Sequence, residues 1–136
     1  MSSRGSYVQN GHITTSEYME KPGSSGVYDA KILVGQKNAH GLPDYSHTPF
    51  RKYIKENPDG TFREMRIYGD KGQPLLEIGY HPEPVINNGN RKDKVLHYHI
   101  LNAVTTMNIT RSPAQKLEKD SEIYATYEKY LRRYGL

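Results

Sequence analysis

The stretch that decides the fold is residues 57–72, NPDGTFREMRIYGDKG, in which a strand pattern lies between two turns. Asn57-Pro58-Asp59-Gly60 has proline at the second turn position and glycine at the fourth, which is typical of a tight turn. Gly69-Asp70-Lys71-Gly72 forms the second turn. Residues 61–68 between them have the length and composition of a strand. Because short turns join antiparallel neighbours, the stretch predicts part of an antiparallel meander.

Similar strand patterns lie on both sides of this stretch. Residues 50–56 precede it, residues 73–80 follow it, and residues 27–34 and 95–101 form the outer strands. The polar segment 81–94, which contains proline, asparagine and glycine, predicts a longer loop. The predicted fold is therefore α+β, an antiparallel β-meander of four to five strands with a C-terminal helix packed on one face.

The helix is predicted from the C-terminal pattern. Ser112-Pro113 is typical of a helix N-terminus, with a capping serine followed by proline. Glu128 and Arg132 are spaced to form an i,i+4 pair. One apolar stripe recurs at helical spacing: Leu117, Tyr124, Tyr127, Leu131 and Tyr134. Residues 102–111 are expected to form a shorter helix or an irregular turn.

Length and composition bound the domain organisation. The chain has 136 residues, the size of one domain. Residues 1–25 are rich in glycine, serine and threonine and predict a polar arm, either flexible or extended along a partner. Residues 26–136 are expected to form a single α+β domain. The absence of cysteine excludes disulfides, thiolate zinc sites and a cysteine nucleophile. No apolar run reaches the roughly 20 residues of a membrane span.

The charge balance favours anionic partners. Nineteen Lys and Arg residues against 15 Asp and Glu give a formal charge of +4, and the isoelectric point is near 9.2. A basic surface attracts nucleic acid, and it argues against an acidic mimic of DNA. The basic residues Arg91, Lys92 and Lys94 lie beside the last predicted strand and are candidate nucleic-acid contacts.

Strand alternation sorts the meander into two faces. The apolar set is expected to meet the helix: Met65, Ile67, Leu96, Tyr98 and Ile100. The polar set is expected on the opposite face: Glu64, Arg66, Tyr68, His97 and His99. The simplest interpretation of the polar set is a solvated face of a half-buried sheet.

A catalytic interpretation of the polar face is metal-independent RNA cleavage. That reaction needs one group to deprotonate the 2′-hydroxyl, one to protonate the leaving oxygen and a cation for the phosphorane. His97 and His99 are the candidate proton-transfer groups, Arg66 the phosphate clamp and Tyr68 an auxiliary donor. No cofactor is expected, and this hypothesis assigns no metal ligand.

A metal site is the competing interpretation of the same strand. His97-Tyr98-His99 points both imidazoles to one side, a geometry suited to two metal ligands. His81, His47 or Glu64 are the candidate third ligands. The motifs of phosphate-binding loops, serine hydrolases and zinc proteases are absent from the sequence.

Four groups of residues carry a family resemblance. They are Gly41-Leu42-Pro43-Asp44-Tyr45-Ser46-His47-Thr48-Pro49, Asp59-Gly60 with Arg66-Ile67-Tyr68, Gly79-Tyr80-His81, and His97-Tyr98-His99. Together they resemble small phage- and prophage-encoded proteins of Gram-positive bacteria, related to polymorphic-toxin-like modules found with phage minor head proteins. The resemblance covers residues 40–101. The chain departs from it at Glu77-Ile78, where relatives carry aspartate, and at Ile100, where they carry glutamate.

The resemblance implies a mobile-element protein of the bacterial cytoplasm or the virion, and toxin modules of this size are often nucleases. The leading hypothesis is therefore a phage-associated, nuclease-like domain, with RNA favoured over DNA as its partner. The first alternative is a non-catalytic phage protein, a virion component or a module that binds a host protein. The second is a His-x-His metal-binding domain.

Overall fold

A computed structural model of the chain describes residues 7–9, 12–14, 18–20, 30–35, 42–46, 48–105 and 108–136. Its strands are β1 (Tyr7–Gln9), β2 (His12–Thr14), β3 (Tyr18–Glu20), β4 (Ala30–Gly35), β5 (Tyr45–Ser46), β6 (Lys52–Glu56), β7 (Phe62–Tyr68), β8 (Pro74–Pro82), β9 (Lys94–Thr105), β10 (Asn108–Arg111) and β11 (Gln115–Lys116). A 3₁₀ helix spans Pro84–Ile86, and the α-helix α1 spans Glu122–Arg132.

Within the described residues, eight strands form one sheet in the order β10-β9-β8-β7-β6-β4-β3, with β11 paired to β9. The strands β6 to β9 form the predicted meander, and every pairing among them is antiparallel. One pair differs, because β4 lies parallel to β6. The predicted α+β class, a mostly antiparallel sheet with one C-terminal helix, is confirmed.

The described parts of the N-terminal segment lie in strands. β3 pairs with β4 in the large sheet, while β1 pairs with β2 and β5 in a second sheet. Residues 27–29 of the first predicted strand lie outside the described residues, as do His40 and His47. The arm predicted at residues 1–25 therefore includes segments that pair with other strands of the chain.

The helix begins later than the sequence predicts. Its N-cap is Ser121, whose side chain accepts a hydrogen bond from the Tyr124 amide. The prediction that Ser112-Pro113 starts the helix is wrong, because the residues that follow form β11 on the edge of β9. The Leu117 amide continues this pairing with a hydrogen bond to the Leu96 carbonyl at 2.9 Å. The backbone groups of this segment are thus satisfied by the sheet.

The described residues of the segment 102–111 are also extended. β9 continues to Thr105, and β10 returns along it as an antiparallel neighbour. The prediction of a short helix or irregular turn is therefore wrong. Val104, Ile109 and Thr110 are β-branched, and such side chains favour a pleated strand over a helix.

The main core lies between the sheet and α1. Leu96 and Tyr98 pack against it as predicted, whereas Ile100 is 48% exposed and does not. The buried members of this core are Ala30, Ile32, Ile54, Phe62, Met65, Ile67, Leu76, Ile78, Leu117, Tyr124, Tyr130 and Leu131. The predicted pair Glu128–Arg132 is present, with Nε and Oε1 3.1 Å apart. Within the described part of the chain, no helix is both long and apolar enough to cross a membrane.

Candidate functional site

Strand register brings the predicted polar residues onto one face. Arg66 lies opposite Glu77, and Glu77 lies opposite His99 in the next strand. One row away, Gly79 lies between Glu64 and His97. The prediction that Glu64, Arg66 and Tyr68 share a face with the two histidines is therefore confirmed, and the pairing adds Glu77 to that face.

This polar face is not solvated. Its buried polar members are Glu64, Arg66, Glu77, His97 and His99, and Tyr68 is buried beside them. The prediction of a wet sheet face is wrong, because residues from a distant part of the chain cover it. Leu42 packs there with Leu33, Tyr53 and Tyr68 in a second apolar cluster. Both sides of the central sheet are therefore buried.

Residues 42–46 form the cover and are anchored at two points. The Ser46 amide donates to the Gly72 carbonyl at 2.9 Å, and the Ser46 hydroxyl lies 3.0 Å from the Tyr53 hydroxyl. Gly72 has a φ of +75°, and a Cβ there would stand 1.8 Å from the Ser46 carbonyl oxygen. Only glycine allows this close approach of the turn to the cover.

Arg66 is fully engaged by the protein. Its Nε donates to Glu77 at 3.0 Å, and its Nη1 donates to the Pro43 carbonyl at 3.2 Å. Tyr68 donates its hydroxyl proton to the same carbonyl. Burial alone would lower the pKa of Arg66, but Tyr68 and Glu77 outweigh burial and raise it. The two residues predicted as clamp and donor hold the cover in place.

The two buried carboxylates of this face differ in their preferred charge. Burial raises the pKa of Glu64, and the neighbouring Glu77 raises it further. Burial would also raise the pKa of Glu77, but the guanidiniums of Arg66 and Arg111 outweigh it and hold that pKa below its usual range. Arg111 Nη2 lies 3.0 Å from Glu77 Oε1. Glu77 is thus the stable anion of the face, and Glu64 tends toward the neutral acid.

Three histidines form a row at one end of the face, which we call the histidine row: His81, His97 and His99. The rings of His81 and His97 meet edge to face with centroids 4.6 Å apart. The rings of His97 and His99 do the same at 5.4 Å. Sequence alternation predicted the second pair. It could not predict the first, because His81 belongs to the neighbouring strand.

Each imidazole of the histidine row is oriented by a backbone carbonyl. Nδ1 of His81 lies 3.1 Å from the Pro82 oxygen, Nδ1 of His97 lies 2.8 Å from the Val95 oxygen, and Nδ1 of His99 lies 2.8 Å from the Ser112 oxygen. A carbonyl can only accept, so Nδ1 carries the proton in each neutral ring. The lone pair of each neutral imidazole is therefore on Nε2.

The Nε2 atoms of His81 and His97 converge above Gly79. A Cβ on Gly79 would stand 2.9 Å from Nε2 of His97 and 3.1 Å from Nε2 of His81. Any larger residue would push the two rings away. The missing side chain at position 79 therefore leaves the space into which both lone pairs can point.

His97 is the most enclosed member of the row, with 0% of its surface exposed. Among the described residues, none hydrogen-bonds to its buried Nε2, and Glu83 Oε2 lies 3.7 Å from that atom. Burial lowers the pKa of His97, with the neighbouring His81 and His99 adding to the effect. The ring is therefore held in its neutral form at physiological pH.

Glu83 is the functional candidate that the sequence interpretation missed. Among the described residues, His81, Glu83 and His97 form one group of potential ligands whose donor atoms all lie within 4.8 Å of one another. Glu64 is not a member of this group, and His47 lies outside the described residues. The sequence signal that could have found Glu83 is His81-Pro82-Glu83, two potential ligands two residues apart, with Glu83 directly after the end of β8.

The basic residues predicted to bind nucleic acid lie at the same end of the sheet. Arg91, Lys92 and Lys94 are exposed. Lys94 pairs with Pro82 across β8 and β9, next to His81. The Asn90 side chain shapes the loop by accepting the Lys92 amide proton at 2.8 Å. Lys94 shares its face with Leu96, and its Nζ lies 5.6 Å from the centroid of the Tyr80 ring, so its side chain is on the helix face and not beside the histidine row.

Comparison with known proteins finds no relative of this chain. The chain matches no protein-family model, no curated protein and no solved structure. The resemblance of residues 40–101 to phage-encoded proteins therefore stays a prediction.

Proposed function

We propose that this protein is a nuclease-like domain that cleaves RNA at the histidine row without a metal ion. The observation that carries the proposal is the convergence of the His81 and His97 Nε2 atoms above Gly79. Two imidazoles of fixed tautomer that share one small space form the acid–base pair that cleavage through a 2′-hydroxyl needs.

In this reaction one neutral imidazole takes the 2′-hydroxyl proton while the oxygen attacks phosphorus. The other imidazole, entering the step protonated, gives its proton to the departing 5′-oxygen. The products are a 2′,3′-cyclic phosphate and a 5′-hydroxyl. The Pro82 and Val95 carbonyls hold Nδ1 of His81 and His97 and so fix the orientation of the two rings. Fixed orientation of reacting groups lowers the barrier of such a reaction.

His99 and the charged residues behind it support the row. His99 contacts the His97 ring from the other side and lies opposite Glu77. Glu77 is in turn held by Arg66 and Arg111. Arg66 and Tyr68 therefore act in this proposal as positioning residues. Exposed Arg91 and Lys92, in the loop before β9, provide the phosphate contacts that Arg66 was expected to provide, whereas Lys94 lies on the helix face.

The biological setting of the proposal comes from the sequence resemblance. A small basic nuclease-like domain fits a phage or prophage protein acting in the bacterial cytoplasm or within the virion. Phosphate contacts beside an acid–base pair favour RNA, because DNA lacks the 2′-hydroxyl that this chemistry uses.

The test is cleavage of a single-stranded RNA in EDTA by the whole chain. Wild type should produce cyclic phosphate ends, and a substrate with one 2′-deoxy position should resist cleavage there. His81→Gln and His97→Gln should each lower the rate by about 10²–10⁴-fold, the usual contribution of one proton-transfer group. Tyr127→Phe, on the helix, is the folded control. Intact RNA with wild type, or equal cleavage by wild type and both histidine variants, would disprove the proposal.

A further inference from the structure

We infer that His81, Glu83 and His97 bind a divalent transition-metal ion of the Zn²⁺ class. The donor atoms of the three side chains lie within 4.8 Å of one another, and His97 Nε2 is 3.7 Å from Glu83 Oε2. Ligand atoms about 2.1 Å from a tetrahedral zinc ion stand roughly 3.4 Å apart. Small side-chain rotations would therefore close the group around an ion.

The orientation of the two imidazoles is that of metal ligands. Histidine ligands of metal ions usually donate their other ring N–H to a carbonyl or carboxylate, which fixes the ring and the tautomer. The Val95 carbonyl does this for His97 at 2.8 Å, and the Pro82 carbonyl does it for His81 at 3.1 Å. Both Nε2 lone pairs are thus available before an ion arrives.

The burial of His97 is an independent indication of a ligand. Buried polar atoms are nearly always hydrogen-bonded, and one that is not carries a desolvation cost. His97 is 0% exposed, yet no atom of the described residues hydrogen-bonds to its Nε2. An ion beside His97 would satisfy this atom, and Gly79 leaves room for it.

The donor set selects the class of ion. Two imidazole nitrogens and one carboxylate suit Zn²⁺ and its first-row neighbours, while Mg²⁺ and Ca²⁺ prefer oxygen ligands. Three protein ligands leave a fourth position of a tetrahedral ion open. His81 and Glu83 are partly exposed, so an ion can enter from their side of the group.

Metal binding goes beyond the proposed function and stands without it. A bound ion would occupy both Nε2 lone pairs that acid–base cleavage uses. Binding of Zn²⁺ should therefore inhibit metal-independent cleavage. The binding itself is measured in the absence of RNA, so a failure of either proposal is seen separately from a failure of the other.

The test is calorimetric titration of Zn²⁺ into the untagged whole chain after treatment with EDTA and dialysis. One ion per chain should bind wild type, and Mg²⁺ should give no binding heat. Loss of a residue that only hydrogen-bonds to a metal ligand weakens metal binding roughly 10–100-fold. Loss of a ligand in His81→Gln or Glu83→Gln should therefore weaken binding by about 100-fold or more. His81 and Glu83 are both partly exposed, so substitutions there are expected to leave the fold intact. The test therefore stays valid even where His97→Gln does not fold.

Two control variants separate the site from adventitious binding. Asp120→Asn and Glu118→Gln each remove an exposed carboxylate that lies outside the ligand group and the histidine row. Both should retain wild-type affinity within about threefold. No binding of Zn²⁺ to wild type, or equal affinity in wild type and the Glu83→Gln and His81→Gln variants, would overturn the inference.

Discussion

The guanidinium of Arg66 and the carboxylate of Glu77 form an ion pair inside the protein, with only 8% and 4% of their side chains exposed. Two charges taken out of water are tolerated when each is paired and hydrogen-bonded. Arg66 meets these conditions through the Pro43 carbonyl, and Glu77 meets them through Arg111. The pair connects the central sheet to its cover.

Removal of one partner of this pair should be strongly destabilising. Arg66→Met leaves Glu77 buried with only Arg111, so we expect a loss of about 3–5 kcal/mol in the free energy of unfolding. Urea denaturation followed by circular dichroism measures it. Arg63→Met, on an exposed position of the same strand, is the control and should change stability by less than about 0.5 kcal/mol. Similar losses in the two variants would contradict a structural role for the pair.

Glu64→Gln should stabilise the protein at high pH. Burial raises the pKa of Glu64 above its ordinary 4.5 in the folded state, so the folded protein holds this proton more tightly than the unfolded chain. The stabilising effect of that proton is present below about pH 4.5 and is lost as pH rises through the folded pKa. Glutamine does not ionise and avoids the loss.

The measurement for Glu64→Gln is the urea midpoint of wild type and variant at pH 4 and pH 8. The advantage of the variant should be larger at pH 8. Exposed Glu118→Gln should show no such dependence. An equal difference between Glu64→Gln and wild type at both pH values would refute the assigned direction of the pKa shift.

Gly79→Ala should disable the histidine row while the sheet persists. Its Cβ would stand 2.9 Å from His97 Nε2, so the imidazoles must move. A displacement of about 1 Å can cost roughly 100-fold in rate, and overpacking should cost about 1–3 kcal/mol in stability. RNA cleavage and thermal unfolding, measured on the same sample, give both quantities. Wild-type cleavage by the alanine variant would show that the rings need no such space.

Tyr134→Phe should loosen the docking of the C-terminal end. The Tyr134 hydroxyl donates to Glu56 Oε2 at 2.7 Å, and burial together with this bond raises the tyrosine pKa. Hydrogen bonds to charged groups contribute about 1.5–3 kcal/mol to stability. Because Tyr134 is half-buried, we expect the free energy of unfolding to fall by an amount near the lower end of this range. Tyr127→Phe is the matched control on α1. Equal unfolding midpoints for the two variants would argue against the bond.

The meander could be predicted because its signals are local. Pro58 and Gly60 mark one turn, Gly69 and Gly72 mark the next, and the strands between them lie close to their predicted bounds. Alternation then placed Arg66 and His97 on one face, since a strand has a period of two residues. These inferences needed only neighbouring residues.

Features that depend on distant contacts could not be predicted in this way. Nothing near Arg66 indicates that the carbonyls of Leu42 and Pro43 will cover it. The helix start was misplaced because Ser112-Pro113 carries a capping signal, while pairing of β11 with β9 decides its conformation. The sequence does not show that Glu83 approaches His97, because Glu83 follows the end of β8 and only the pairing of β8 with β9 brings the two residues together.

The parallel pairing of β4 with β6 has a consequence for the order of folding. β6, β7 and β8 are joined through short turns and can assemble by successive hairpins, whereas β4 reaches β6 only after a longer loop closes. We therefore expect amides of β7 and β8 to gain protection early in a pulsed hydrogen-exchange experiment, with those of β4 protected later. The buried charges of the polar face would then remain hydrated through most of folding and lose water only in the final step.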